Sequence, residues 1–286
     1  MPLGVLKDIR KIYSGLNAGG IRADAAQSLR IGLVATSENV YRDMEDFLVP
    51  PGINGNARGQ ALGMVVRLDQ PKFDQTRKDF DILLCEAGVG IPRNGYLFDA
   101  GGSDGALIDA IVTENQDIEL ALARSFPVFR HSVAHQIISR VSKENAMLAL
   151  VTALPNVLPS FIDLPWAVGE FATDTAFLTM NQIRMALMMA AVYDRPVGYS
   201  EQKTSIAAIA GGAFGWRAIA RELVGKIPLG GGLIPKAAIA YAGTWVVGTG
   251  LNKLYSTGVG HTHSEKREAW SHAMTRGRDI AAELRP

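Results

Sequence analysis

The sequence predicts an α/β domain built on a small open, mostly parallel sheet, packed with an α-helical module. Three observations lead there. Short apolar runs bounded by turn residues occupy positions 30–36, 61–68, 80–86 and, more weakly, 96–99, with a helical stretch after the first. From position 128 onward apolar residues recur at helical spacing instead. Within 174–256, three apolar segments are separated by the turn-rich runs 193–198 and 228–235.

The chain has 286 residues, 48% hydrophobic and 20% charged, enough for one large core or two modest ones. A net charge of +1 gives no bulk reason to expect nucleic acid. One cysteine, Cys85, excludes an internal disulfide and suits a reducing cytoplasm; inside an apolar run it reads as a small buried side chain.

Residues 3–16 place Leu3, Leu6, Ile9, Ile12, Tyr13 and Leu16 on one helical side, with Lys7, Asp8, Arg10 and Lys11 largely opposite. These charges interrupt any secretory segment and leave an amphipathic helix that either docks on its own protein or lies at a membrane surface. Gly19-Gly20 is expected to end it. The run 30–36 is then a strand, Ser37 a helix cap, and 38–49 a helix. Strand, turn and helix open a nucleotide-binding α/β unit.

The turn between them reads Ala35-Thr36-Ser37-Glu38. It lacks the glycines and the Lys-Ser/Thr pair that grip phosphate, and Glu38 repels it. Asp99-Ala100-Gly101-Gly102 satisfies the loose Asp-x-x-Gly pattern of γ-phosphate sensors, although no phosphate loop accompanies it. The domain therefore reads as a degenerate GTPase-like scaffold, with Ser37 and Asp99 as its candidate nucleotide contacts. Pro50-Pro51-Gly52 and the polar residues 53–60 are expected to be loop, as is the glycine-rich stretch 88–95.

In the second half, Ser103 or Asp104 caps a helix through Val112, another begins near Asp117, and Phe126-Pro127 interrupts it before a long helix over 128–152. His131 and His135 lie one turn apart, but the zincin glutamate and a third ligand are missing, so no metal site is expected. Three prolines within 155–165 mark an irregular apolar link. Residues 174–193 then form a helix with Asn181, Gln182 and Arg184 on its polar face, closed by Pro196.

A second helix is expected over 204–226, where Gly211, Gly212 and Gly215 cost roughly 1 kcal/mol each against Ala unless a backbone packs closely there. The third begins near Pro235 and carries 15 uncharged residues from 237 to 251. That is short of the roughly 20 needed to span a bilayer, which leaves a buried core helix or a hairpin in contact with lipid. His261 and His263 read as part of a solvated linker, and Trp270 and Met274 as contacts that dock a helical tail.

Asn181-Gln182-Ile183-Arg184-Met185-Ala186, the run from Gly211 through Trp216 to Arg217, Ile227-Pro228-Leu229-Gly230, and Lys236-Ala237-Ala238-Ile239-Ala240-Tyr241-Ala242-Gly243-Thr244 together resemble the YcjF-type bacterial domain of unknown function, over about residues 126–256. The resemblance implies a helical module beside an Era- or Ras-like GTPase domain and association with membranes. It carries over no catalytic residue and no cofactor.

The expected plan is an N-terminal helix (1–28), an α/β domain (29–102), a helical module (103–256) and a tail helix (257–286). The expected function is a non-enzymatic scaffold or regulator in the cytoplasm, at the inner face of the membrane. It would act by association with itself or a protein partner through Gly211, Gly212, Gly215, Trp216, Arg217, Gly243, Trp245 and Gly248. Two alternatives stay open: a divergent nucleotide-binding hydrolase and an integral membrane protein.

Overall fold

A computed structural model describes residues 18–68, 79–89, 95–99, 104–151, 174–209 and 233–283. The N-terminal amphipathic segment, the proline-rich link and the Gly211–Arg217 run lie outside these residues.

The chain divides into two compact units. The first comprises residues 20–133 with 191–194 and contains the sheet. Its strands are β1 (Ile31–Val34), β2 (Val65–Leu68), β3 (Ile82–Glu86) and β4 (Gly95–Phe98), all parallel, in the order β2-β1-β3-β4. Val34 pairs with Leu68 on one side and Cys85 on the other, and Cys85 with Leu97. Central β1 and β3 are apolar runs because a parallel strand covered on both faces needs no alternation. At Gly32 a Cβ would meet Leu83 Cδ2 at 2.5 Å and Leu68 Cδ1 at 2.8 Å, so any larger residue would displace those side chains.

Helix α1 (Ala18–Ala25) runs through Gly19-Gly20, where the sequence suggests a break. Helix α2 (Glu38–Leu48) buries Met44, Phe47 and Leu48, and Phe47 meets Phe98 and Phe129 edge-on at 5.5 and 6.4 Å. The stretch read as a polar loop instead holds α3 (Gly55–Leu62), whose N-terminus Asn54 caps through its side chain. Only Ala61 of α3 is buried, so the helix offers no apolar periodicity to read, and it takes Ala61 and Leu62 from the strand expected there.

Next come α4 (Asp104–Glu114), α5 (Glu119–Ser125), a 3₁₀ turn (Pro127–Phe129) and α6 (Arg130–Val151). The sheet unit thus extends past residue 102 and ends within α6 at Val133. Arg130 Nε donates to the Ala123 carbonyl at 3.1 Å, satisfying a carbonyl that the end of α5 leaves open.

The second unit contains the rest of α6, α7 (Asp174–Val192) as far as Ala190, a helical turn at 203–209, α8 (Leu233–Thr257) and α9 (His263–Glu283). Helix α7 ends in a Schellman cap: Asp194 takes a positive φ of 51°, Arg195 N–H donates to Ala190 O at 2.8 Å and Asp194 N–H to Ala191 O at 3.0 Å. Helix α8 is longer than the uncharged stretch suggests and runs to Thr257. Glycines admit neighbouring side chains and backbone here: Ile138 fills the space at Gly248 of α8, and across the α8–α9 crossing a Cβ on Gly277 of α9 would lie 3.0 Å from Ala238 Cα. Trp270 and Met274 pack on the core of Tyr241, Ala242, Ala273 and Ile280, the docking expected of the tail.

Candidate functional site

In an open parallel sheet of this order, ligands bind beyond the carboxyl ends of β1 and β3, where the strand order reverses. The register places Ala35-Thr36-Ser37 and Glu86-Ala87 at that crevice. Ser37 caps α2, its Oγ accepting from Val40 N at 3.4 Å. The Glu86 carboxylate accepts from both the main-chain N–H of Thr36 at 2.6 Å and its hydroxyl at 2.7 Å. These two bonds hold the Glu86 carboxyl below its usual range.

A second acidic group closes the same edge. Arg67 reaches Glu38 at 2.8 Å and Glu45 at 2.8 Å and lies over the ring of Tyr41. The Tyr41 hydroxyl in turn bridges the carbonyls of Ala35 and Leu68, at 3.1 and 2.9 Å. The donors of Thr36, Tyr41 and Arg67 at this edge are thus matched to carboxylates and carbonyls of the chain itself. Cys85 is fully buried beside them, and burial pushes its thiol up to about 11, which disfavours the thiolate.

Asp99 follows β4 on the same edge, two strand spacings from Ser37, or roughly 10 Å. It lines an open cleft of about 380 Å³ with Tyr96, Leu97, Asp104 and Leu107. The fold brings the two sequence-derived candidates to one edge but puts β3 and Glu86 between them. Glu86 itself was not legible as a site residue: in the sequence it is only the acid that ends an apolar run.

The helical unit buries a polar arrangement drawn from the polar face of α7. Asn181 and Gln182 are 3% and 6% exposed, not on a solvated face. Asn181 Nδ2 donates to Asn145 Oδ1 at 2.8 Å; Asn145 Nδ2 donates to Thr244 Oγ1 at 2.7 Å, and Gln182 Nε2 to the same oxygen at 3.2 Å. Burial is tolerated because each amide nitrogen finds an acceptor on another helix. The layer also orders the helices. Ile138 and Met185 meet Gly248 while Asn145 meets Asn181 and Thr244, so α6 runs antiparallel to α7 and α8.

Of the expected association residues, Gly243 is buried, Gly248 is covered by Ile138 and Met185, and Trp245 stacks on Tyr241 at 5.7 Å and meets His135 edge-on at 5.4 Å. These three make contacts within the chain. Gly211, Gly212, Gly215, Trp216 and Arg217 lie outside the described residues. His131 is exposed, and no group of three or more metal-ligating side chains occurs among the described residues. No helix among them is long and apolar enough to cross a membrane. No protein family, curated protein or solved structure matches this chain.

Proposed function

We propose that the chain is a non-enzymatic scaffold or regulatory protein of the YcjF type, working by helix-mediated association with itself, a protein partner or the inner face of the cytoplasmic membrane. The observation that carries the non-enzymatic part is the contact of Glu86 with Thr36. A hydrolase of this architecture aims its turn donors at phosphate. Here the main-chain and hydroxyl donors of Thr36 are turned onto a carboxylate, and Glu38 adds a second negative charge to the first turn of α2.

The helical part rests on a different observation. Asn181, Gln182 and Thr244, three residues of the motifs that resemble YcjF-type domains, meet in one buried layer with Asn145. A hydrogen-bonded layer in an otherwise apolar set of helices favours one register over its neighbours. That supports a module whose product is a defined surface rather than a reaction.

Calorimetry with GTP and with ATP, each with magnesium, tests the first part. No heat is expected, and micromolar binding would overturn it in favour of the hydrolase that Ser37 and Asp99 would serve. Membrane fractionation tests the second: high salt or carbonate should release the protein, and retention through carbonate would establish the integral alternative.

A further inference from the structure

Helices α8 and α9 form an antiparallel hairpin whose turn is closed from both sides. Gly258 takes the left-handed conformation at a φ of 80°, and its N–H donates to Leu254 O at 2.9 Å. Thr262 and Glu265 make a capping box: Thr262 Oγ1 accepts from Glu265 N at 3.3 Å, and Glu265 Oε2 accepts from Thr262 N at 2.8 Å. Lys253 Nζ of α8 reaches Glu265 Oε1 of α9 at 2.5 Å.

His261 sits inside this closure. Its Nδ1 is buried without a hydrogen-bond partner among the described residues and lies 3.8 Å from where a Cβ on Gly250 would stand. The charged groups facing it are Lys253 from α8, and Glu265 and Lys266 from α9. Glu265 is already engaged by Lys253 and Thr262, so an imidazolium would enter a site with two cations and a committed carboxylate. Burial lowers the proton affinity of the ring, Glu265 opposes this, and the two lysines add to it.

What the closed turn holds in place is apolar. Ala273, Ile280 and Ala281 of α9 share a core with Ala237, Tyr241 and Ala242 of α8, a helix without charge from Ala237 to Asn252. We propose that His261 is an acid-sensitive latch: a proton taken from solvent onto its buried Nδ1 loosens the turn and with it the packing of α9 on α8. This rests on the reading of the helices as an association module and supplies its regulation. The sign follows from the lowered proton affinity. The latch is fully closed above the free-imidazole value of about 6.5 and opens as pH falls through the lower folded-state value.

Hydrogen exchange of the amides at 273–281, in the wild-type protein and in His261→Asn, tests this at about pH 7.5 and about pH 5.5. Only the one pH unit between the free-imidazole value of about 6.5 and about pH 5.5 contributes, so the wild-type protection factor should fall by up to about tenfold, while the variant, which cannot titrate at this position, should show no such fall. Equal wild-type protection at both pH values, or the same fall in the variant, would overturn the latch. NMR titration of His261 in the unaltered protein gives an independent check, and a midpoint at or above about 6.5 would equally overturn it. Neither measurement involves a partner, so failure of the latch leaves the association reading standing, while nucleotide binding would sink that reading without moving His261.

Discussion

Glu86 grips Thr36 twice, at the main-chain amide and at the hydroxyl, across the point where the strand order of the sheet reverses. Both bonds favour the charged carboxylate, so they strengthen the β1–β3 edge only while Glu86 is ionised. The folded carboxyl lies below its free value, which means this contribution is present above that value and is lost as pH falls through the folded one. Glu86→Gln should therefore lower the melting temperature at neutral pH, with the difference from wild type shrinking in acid. Thermal melts of both proteins across pH check it, and a constant difference would refute it.

Asn145 serves Asn181 and Thr244 at once. Asn145→Leu strands the amide of Asn181 in the core and should cost about 2–3 kcal/mol by chemical denaturation, since unsatisfied buried groups cost about 1–3 kcal/mol each. Thr244→Val removes the shared acceptor of Asn145 and Gln182 and should cost about 1–3 kcal/mol. In the double variant the two losses should fall short of additivity, because they dismantle the same network.

Gly248→Ala adds a helix-favouring residue and should nonetheless destabilise. Its Cβ would sit 2.7 and 2.9 Å from the Cγ1 and Cγ2 atoms of Ile138 and 3.1 Å from Met185 Sδ. Overpacking costs about 1–3 kcal/mol against a propensity gain of about 1 kcal/mol, and the side chain of Ile138 must move for the net loss to be small. Ile138→Ala removes both of those Cγ atoms, so it should cost less in the Gly248→Ala background than alone, which denaturation of the single and double variants would read.

The capping box makes a separate acid prediction from that of His261. Lys253 and the backbone and hydroxyl of Thr262 hold the Glu265 carboxyl down at about 2. Its contribution is complete above the unfolded value of about 4.3 and is lost as pH falls toward the folded one. Helicity of α9, followed by NMR between about pH 5 and pH 2, should fray at its N-terminus in the wild type. In Glu265→Gln the same end should already be weakened at pH 5 and change little below it.

Much of the architecture was legible because it follows from local pattern. The apolar runs at β1 and β3 have the length and composition of buried strands, Ser37 has the chemistry of a cap, and Cys85 sits where only burial makes sense. Helix α3 was not legible, since Gly55 to Leu62 buries a single alanine and carries no stripe. The candidate site was half legible: the turn at Thr36 shows in sequence that phosphate donors are missing, but nothing in sequence names the acid that takes their place.

The sequence by itself determined which segments are apolar, where the phosphate loop fails and that one thiol is buried, since each depends on residues adjacent in the chain. Only the tertiary structure decided what the polar residues do. Asn181 and Gln182 lie on the polar face by helical spacing, yet they are buried because Asn145 and Thr244, far away in sequence, supply their hydrogen bonds. The same holds for Glu86 with Thr36 and for His261 over Gly250: the free energy of a polar group is set by the partner that folding brings to it, and spacing along the chain does not encode that partner.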